Sequence, residues 1–276
     1  MQYKTVLVHV DHARHAEARI RCAAALARRF EAHLIGTAAS GISRYVYQDS
    51  GLDMAMTVLA SHVEQMRQRA EATLGRFDAL AAQEGVASVE HRMADDEPGA
   101  ALAIGARYAD LLVVSQADPD DPAVRLSTGL APQLVLDSVR PVLVLPYIHD
   151  GAAPGKRVLV CWDGSPQASR AVHAALPLLA QAEQVTVAVF NPGEEHGEAP
   201  GADLALYLAR HGVKAEAQAC HTDGDVGQQL LSLAADLDCD LMVMGCYGHT
   251  RLRELLLGGV SATMFASMTV PVLMMH

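Results

Sequence analysis

Three short apolar runs recur in the same order in the two halves of the chain, and this repetition constrains the fold more than any other feature. Val6-Leu-Val-His-Val-Asp11 corresponds to Val158-Leu-Val-Cys-Trp-Asp163 at an offset of 152 residues. Asp110-Leu-Leu-Val-Val114 corresponds to Asp240-Leu-Met-Val-Met244 at an offset of 130, and Arg140-Pro-Val-Leu-Val-Leu-Pro146 to Thr269–Met275 through Val270-Pro-Val-Leu at the same offset. The 22-residue difference between the offsets marks an insertion in the first half, expected within Gly41–His62. Matched strands in a fixed order indicate a duplicated domain. The Gly- and Pro-containing stretch His149–Gly155 serves as the linker, so domains are expected at 1–150 and 154–276. A length of 276 residues suits two domains of ordinary size.

Within each half, short continuous apolar runs alternate with helical periodicity. Strands are expected at Thr5–Val10, His33–Ala38, Ala87–Arg92, Leu111–Ser115 and Val142–Leu145, with helices at Ala13–Phe30, Met54–Glu84, Pro98–Tyr108 and within Val124–Ser138. The second half repeats the strands at Arg157–Trp162, Gln184–Phe190, Lys214–Cys220, Leu241–Met244 and Val272–Met275. Ser165 suits a helix N-cap and Pro166 the first helical position, with Ala168, Ala171, Val172, Ala175 and Leu179 on one buried face. Runs apolar on both faces, joined by helices, imply α/β domains with doubly wound, mostly parallel sheets and right-handed crossovers. Such sheets bind ligands outside the carboxyl ends of their strands, where the strand order reverses.

The stretch Asp240–Ser261 carries the chemistry. Leu241–Met244 reads as a buried strand, followed by Gly245, Gly248 and Gly258-Gly259, and Val260 opens a helical pattern. Glycines at a strand's carboxyl end and a helix start let backbone N–H groups approach an anion, which the helix dipole also favours. The spacing Gly-x2-Gly-x9-Gly directly after a buried strand resembles the nucleotide-binding signature of the universal stress protein family. The resemblance covers nearly the whole chain and implies strand order 3-2-1-4-5 in each half, an adenine-nucleotide alpha-hydrolase-like fold. It also implies that Gly245, Gly248 and Gly258 wrap the phosphates and ribose of ATP or a related adenine nucleotide, with Mg as an accompanying ion. Gly259, Val260 and Ser261 continue the same loop. The family usually has Ser or Thr where Gly259 stands, and a hydroxyl returns at Ser261. His249 is placed to reach a phosphate, or to be an exposed loop residue. By the same resemblance Asp163 contacts the adenosine part, and the backbone at Phe190 and Asn191 lines the adenine pocket.

The first half lacks the signature. Ser115, Asp118 and Thr128 stand where the second half has Gly245, Gly248 and Gly258, and only Gly129 survives, opposite Gly259. Its loop carries Asp118, Asp120 and Asp121. A carboxylate ~5 Å from a phosphate charge costs about 3 kcal/mol at an effective dielectric of roughly 20. Asp11 still ends the first strand, so part of an adenosine-like pocket is expected there without its phosphate half. The first half is therefore expected to be a structural or regulatory partner, with one nucleotide per chain.

A net charge of −11 and the absence of any Lys/Arg run argue against a nucleic-acid or anionic-membrane partner. No apolar run approaches a membrane span, and no leader sequence is visible. Five cysteines without a C-x-x-C pair fit reduced thiols in a cytoplasm. His9, His12 and His15 fall in a strand, a turn and a helix, which is not the one-face spacing of a helical zinc pair. Arg251 and Arg253 are candidate phosphate neighbours or solvent-facing residues. Cys246, between two loop glycines, invites a redox reading but has no resolving partner in sequence.

No nucleophile or acid–base motif stands out. The expected function is therefore a nucleotide-dependent stress-response switch, with at most slow ATP hydrolysis. The rivals are a nucleotide-independent scaffold and a slow ATPase or self-phosphorylating protein. The terminal apolar strands of the two halves, Pro141–Pro146 and Pro271–His276, are expected to pair within the chain as an intramolecular pseudo-dimer, because apolar edges are normally covered. Further homodimerisation and an unidentified protein partner complete the expectation.

Overall fold

The structure is a computed structural model that describes residues 2–41, 53–121, 129–193, 199–247 and 259–276. It divides into two compact units, Tyr3–Arg140 with Asp150–Ala153, and Met1–Gln2, Pro141–His149 and Pro154–His276.

The first unit contains β1 (Thr5–His9), α1 (Ala16–Phe30), β2 (His33–Ala39), α2 (Asp53–Gln83), β3 (Val89–Ala94), α3 (Pro98–Ala106), β4 (Leu111–Ser115) and α4 (Leu130–Asp137). Its strands are parallel in the order β3-β2-β1-β4. Both faces are covered. Val8 lies opposite Gly36 in register, so these two share a face and Leu7 points to the other. A β-carbon on Gly36 would sit 2.7 Å from the fully buried Phe77 ring of α2, whereas one on Gly105 of α3 would sit 3.1 Å from Leu7. Thus α2 and α3 lie on opposite faces, as continuous apolar strands require. α2 runs 31 residues where its counterpart in the second repeat runs 9, a difference equal in size to the expected insertion but carried by a helix that continues well past His62.

The second unit contains β5 (Val142–Leu145), β6 (Arg157–Cys161), α5 (Pro166–Leu179), β7 (Gln184–Phe190), α6 (Ala202–Arg210), β8 (Ala215–Cys220), α7 (Val226–Asp236), β9 (Leu241–Gly245), α8 (Val260–Ser267) and β10 (Val272–Met275). Its parallel strands follow β8-β7-β6-β9-β10, the expected 3-2-1-4-5 order. β5, the fifth strand of the first repeat, belongs to this unit and pairs antiparallel with β10, with Val144 opposite Val272 and Leu143 opposite Leu273. The ladder covers what would otherwise be two apolar edges, as expected for these terminal strands.

The repeat extends to a shared polar device. Asp240 accepts N–H groups from Gly155, Lys156 and Arg157 at 2.9–3.1 Å. Its counterpart Asp110 accepts those of Lys4 and Thr5 at 2.7 and 2.9 Å. In both repeats a carboxylate just before the fourth strand gathers the amides at the start of the first. Among the described residues no helix is long and apolar enough to cross a membrane.

Candidate functional site

In the second unit β6 and β9 are neighbours, with Cys161 opposite Met244. Chain order reverses across them, since β7 and β8 extend to one side and β10 to the other. This reversal is where a parallel sheet opens a crevice for ligands. β6 runs on into a turn at Asp163, whose Oδ1 accepts the Ser165 N–H at 3.0 Å, and Gly164 takes φ 73°. Ser165 Oγ then accepts the Ala168 N–H at 3.1 Å and caps α5, with Pro166 at its first turn as expected. The turn leaves Asp163 exposed, and its second carboxylate oxygen has no hydrogen-bond partner among the described residues.

β9 delivers the opposite wall. A β-carbon on Gly245 would lie 2.4 Å from the Ala168 nitrogen and 2.7 Å from the Gln167 carbonyl carbon. The first glycine of the signature therefore lets the first turn of α5 rest directly on the strand end, whatever the loop binds. Cys246 is fully buried; its N–H donates to the Met275 carbonyl at 2.9 Å and its carbonyl accepts from His276 Nδ1 at 3.1 Å. Tyr247 follows with φ 59°, uncommon for a residue with a side chain. Its N–H donates to the Ser261 hydroxyl at 3.3 Å, and Ser261 is buried in the first turn of α8. The strand end and the helix start are thereby tied together, and Ser261 keeps its own O–H to donate. Gly259 and Val260 stand at that helix start, Gly259 with extended backbone. Gly248, His249, Arg251, Arg253 and Gly258 lie outside the described residues.

Phe190 ends β7, beside β6. Asn191 is left-handed at φ 47°, and its side chain clasps the chain after β8: Nδ2 donates to the Thr222 carbonyl at 2.9 Å and Oδ1 accepts the Thr222 N–H at 2.8 Å. Its side chain thus holds a loop.

The equivalent crevice of the first unit is built differently. Arg19, on the buried face of α1, donates from Nε to the His9 carbonyl at 2.8 Å, from one terminal nitrogen to Ser115 Oγ at 3.0 Å, and from the other to Asp11 Oδ1 at 2.6 Å. His15 Nε2 and Asp118 Oδ2 are 2.8 Å apart, and Asp121 Oδ2 accepts the Arg14 N–H at 2.9 Å. An internal cation and its carboxylates thus fill the place where the second unit has glycine. Burial alone would raise the Asp11 carboxyl, but the Arg19 guanidinium, with His9 and hydrogen bonds from Arg19 and the Ala13 amide, holds it well below the usual carboxylate range.

One expectation needs correction here. Helix α1 begins at Ala16, not Ala13, because the Ala13 and Arg14 amides are taken by Asp11 and Asp121 instead of a helical cap. His9 and His15 lie against Asp11 and Asp118. Arg19 went unseen in the sequence; the signal was an arginine standing where the second repeat has Ala171. Among the described residues no cluster of His, Cys, Asp or Glu could hold a metal ion. All five cysteines are free, and burial pushes the Cys161 thiol up, away from a reactive thiolate.

Burial lowers the His9 imidazole from 6.5 to about 4, against the smaller opposing pull of Asp11. Between those values the unfolded chain binds a proton that the folded chain does not, so stability falls as pH drops through this window. The expected slope from this one group is up to about 1.4 kcal/mol per pH unit. Urea midpoints measured from pH 7 to pH 4 should fall less steeply for His9→Gln than for the native chain. Equal slopes would show that His9 plays no part in acid sensitivity.

Comparison with known proteins agrees with this architecture. A universal stress protein from Archaeoglobus fulgidus DSM 4304 superposes with a TM-score of 0.73 at 15% identity, over 98% of this chain and 95% of its own. A putative universal stress protein from Pseudomonas aeruginosa UCBPP-PA14 gives 0.58 at 18% identity, over 99% and 93%. At these identities the likeness is one of fold. No curated protein matches the chain in sequence. The sequence model of the universal stress protein family matches residues 155–276, the stretch that carries Asp163, Gly245 and Ser261. Residues 155–276 thus match the universal stress protein family in sequence, and the chain as a whole resembles such proteins in fold.

Proposed function

We propose that the C-terminal half, residues 154–276, binds one adenine nucleotide, ATP or a close relative, and that the chain works as a nucleotide-dependent stress-response switch. One observation carries this reading: at the reversal point between β6 and β9, an exposed Asp163 carboxylate stands at one strand end. The Gly245–Tyr247 segment, tied to the first turn of α8, stands at the other. Asp163 would hold the ribose hydroxyls. Backbone N–H groups of the Gly248–Val260 stretch and the Ser261 hydroxyl would meet the phosphates, with any Mg ion carried by the phosphates themselves. The first domain, residues 1–150, is then the structural or regulatory partner in a cytoplasmic pseudo-dimer, a reading supported by the β5–β10 ladder.

The test is calorimetric titration of ATP and adenosine into the native chain and three variants, with far-UV circular dichroism to confirm folding. Gly248→Val and Gly258→Val should weaken ATP by more than about tenfold and leave adenosine nearly unchanged, since a β-carbon disturbs only the phosphate cradle. Asp163→Ala should weaken both by about ten- to a hundredfold, the value of a hydrogen bond to a charged group. Folded valine variants that bind ATP normally would reduce the glycine loop to a turn.

A further inference from the structure

The first unit holds a cavity of about 150 Å³ where β1 and β2 end against α2. It lies where part of an adenosine-like pocket is expected from Asp11, and the nucleotide proposed for the second unit does not use it. Its walls divide by chemistry: Met66, Ala70 and Leu130 supply apolar surface, while Asp11, Ser40 and Arg69 are polar. Asp11 carries no spare charge, being paired with Arg19 at 2.6 Å. His9, which also lines the cavity, is neutral near pH 7 because burial lowers its imidazole to about 4. Arg69 is different: it has no ion pair or hydrogen bond among the described residues. Ser40 is only 2% exposed, and its hydroxyl has no partner among the described residues either. A buried hydroxyl left unmatched is costly, and such groups usually have a partner from solvent or ligand.

We propose that this cavity is a binding site for a small organic acid, a monocarboxylate on an apolar body of about one ring. The carboxylate pairs with the Arg69 guanidinium and accepts from the Ser40 hydroxyl, and the body lies against Met66, Ala70 and Leu130. Size sets the body: a volume of about 150 Å³ accommodates one benzene ring. Charge sets the head, because Arg69 is the charged side chain without an ion pair among the described lining residues and would repel a cation. The phosphates of a nucleotide are disfavoured beside it. The adjoining space beside Arg19, Ser115 and Asp118 is about 30 Å³, room for little more than a water molecule, and carboxylates border it. This site is independent of nucleotide binding in the second unit.

Benzoate serves as the probe, titrated into the full chain by ligand-observed NMR at pH 7. Saturable binding in the millimolar range or tighter is expected, with benzamide about tenfold weaker or more. Arg69→Gln should lose about ten- to a hundredfold and Ser40→Ala about tenfold, while Asp163→Ala leaves benzoate affinity unchanged. Arg69 is exposed, so its replacement leaves the fold intact. Four results would overturn the proposal: no saturable benzoate binding, equal affinity for benzamide, undiminished binding by Arg69→Gln, or displacement of benzoate by adenosine or inorganic phosphate at comparable concentration.

Discussion

Replacing Arg19 with methionine should destabilise the first unit by about 3 kcal/mol or more, the cost of removing one partner from a buried ion pair. The guanidinium is 3% exposed and Asp11 26%, so the orphaned carboxylate stays largely desolvated. Ser115 Oγ and the His9 carbonyl lose their donors in the same step. Methionine approximates the volume of the arginine stem, so the loss reports charge and hydrogen bonding more than an empty space. Adding Asp11→Asn should recover part of the loss, because the stranded charge is gone. The sign with pH follows from Asp11, whose folded carboxyl lies below its unfolded value. Its contribution is complete above the unfolded carboxylate range and disappears as pH falls through the folded value. Urea midpoints for the single and double variants at pH 7, repeated at acid pH for the pH dependence, measure all of this. A single variant within about 0.5 kcal/mol of the native chain, the usual surface range, would show the network to be incidental.

The same network explains what the sequence could and could not disclose. Strand identity was legible because buried parallel strands must be apolar on both faces, and Leu111–Ser115 and Val142–Leu145 appear where expected. The Ser165–Pro166 helix start was legible because a cap depends on adjacent residues alone. Arg19 was not. On the face of α1 that buries Ile20, Ala23 and Ala27, one arginine reads as an ordinary polar residue until Ser115, 96 positions away, is brought beside it. The start of α1 was misjudged for a related reason: Asp121 takes the Arg14 amide from 107 residues away. Gly245 was legible as a strand-end glycine and was assigned to the nucleotide's phosphates and ribose, not to packing. Its contact with Ala168 depends on how closely α5 lies on β9, which spacing alone does not encode.

That contact makes Gly245→Val the most informative change in the second unit. Destabilisation of about 3 kcal/mol is expected, the upper end of overpacking, because the atoms met at 2.4 and 2.7 Å belong to backbone, not to a side chain that can turn away. Two adjustments are open, and each breaks something. If α5 retreats, the Ser165 cap and the Asp163 turn move with it. If the strand end retreats, the Cys246 N–H to Met275 bond is lost. The first repeat shows which adjustment the fold accepts: Ser115 occupies the equivalent position, and there the helix starts at Ala16, two residues later than the counterpart of Pro166. Valine at 245 should therefore displace Asp163 and weaken adenosine as well as ATP, unlike Gly248→Val, which should spare adenosine. Gly129→Ala is the control: a β-carbon there meets nothing within 4 Å, and its cost should stay within about 0.5 kcal/mol. Urea midpoints and paired ATP and adenosine titrations decide the matter. A folded Gly245→Val chain with a native midpoint would refute the packing argument, and one that loses ATP while keeping adenosine would assign Gly245 to the phosphate cradle instead.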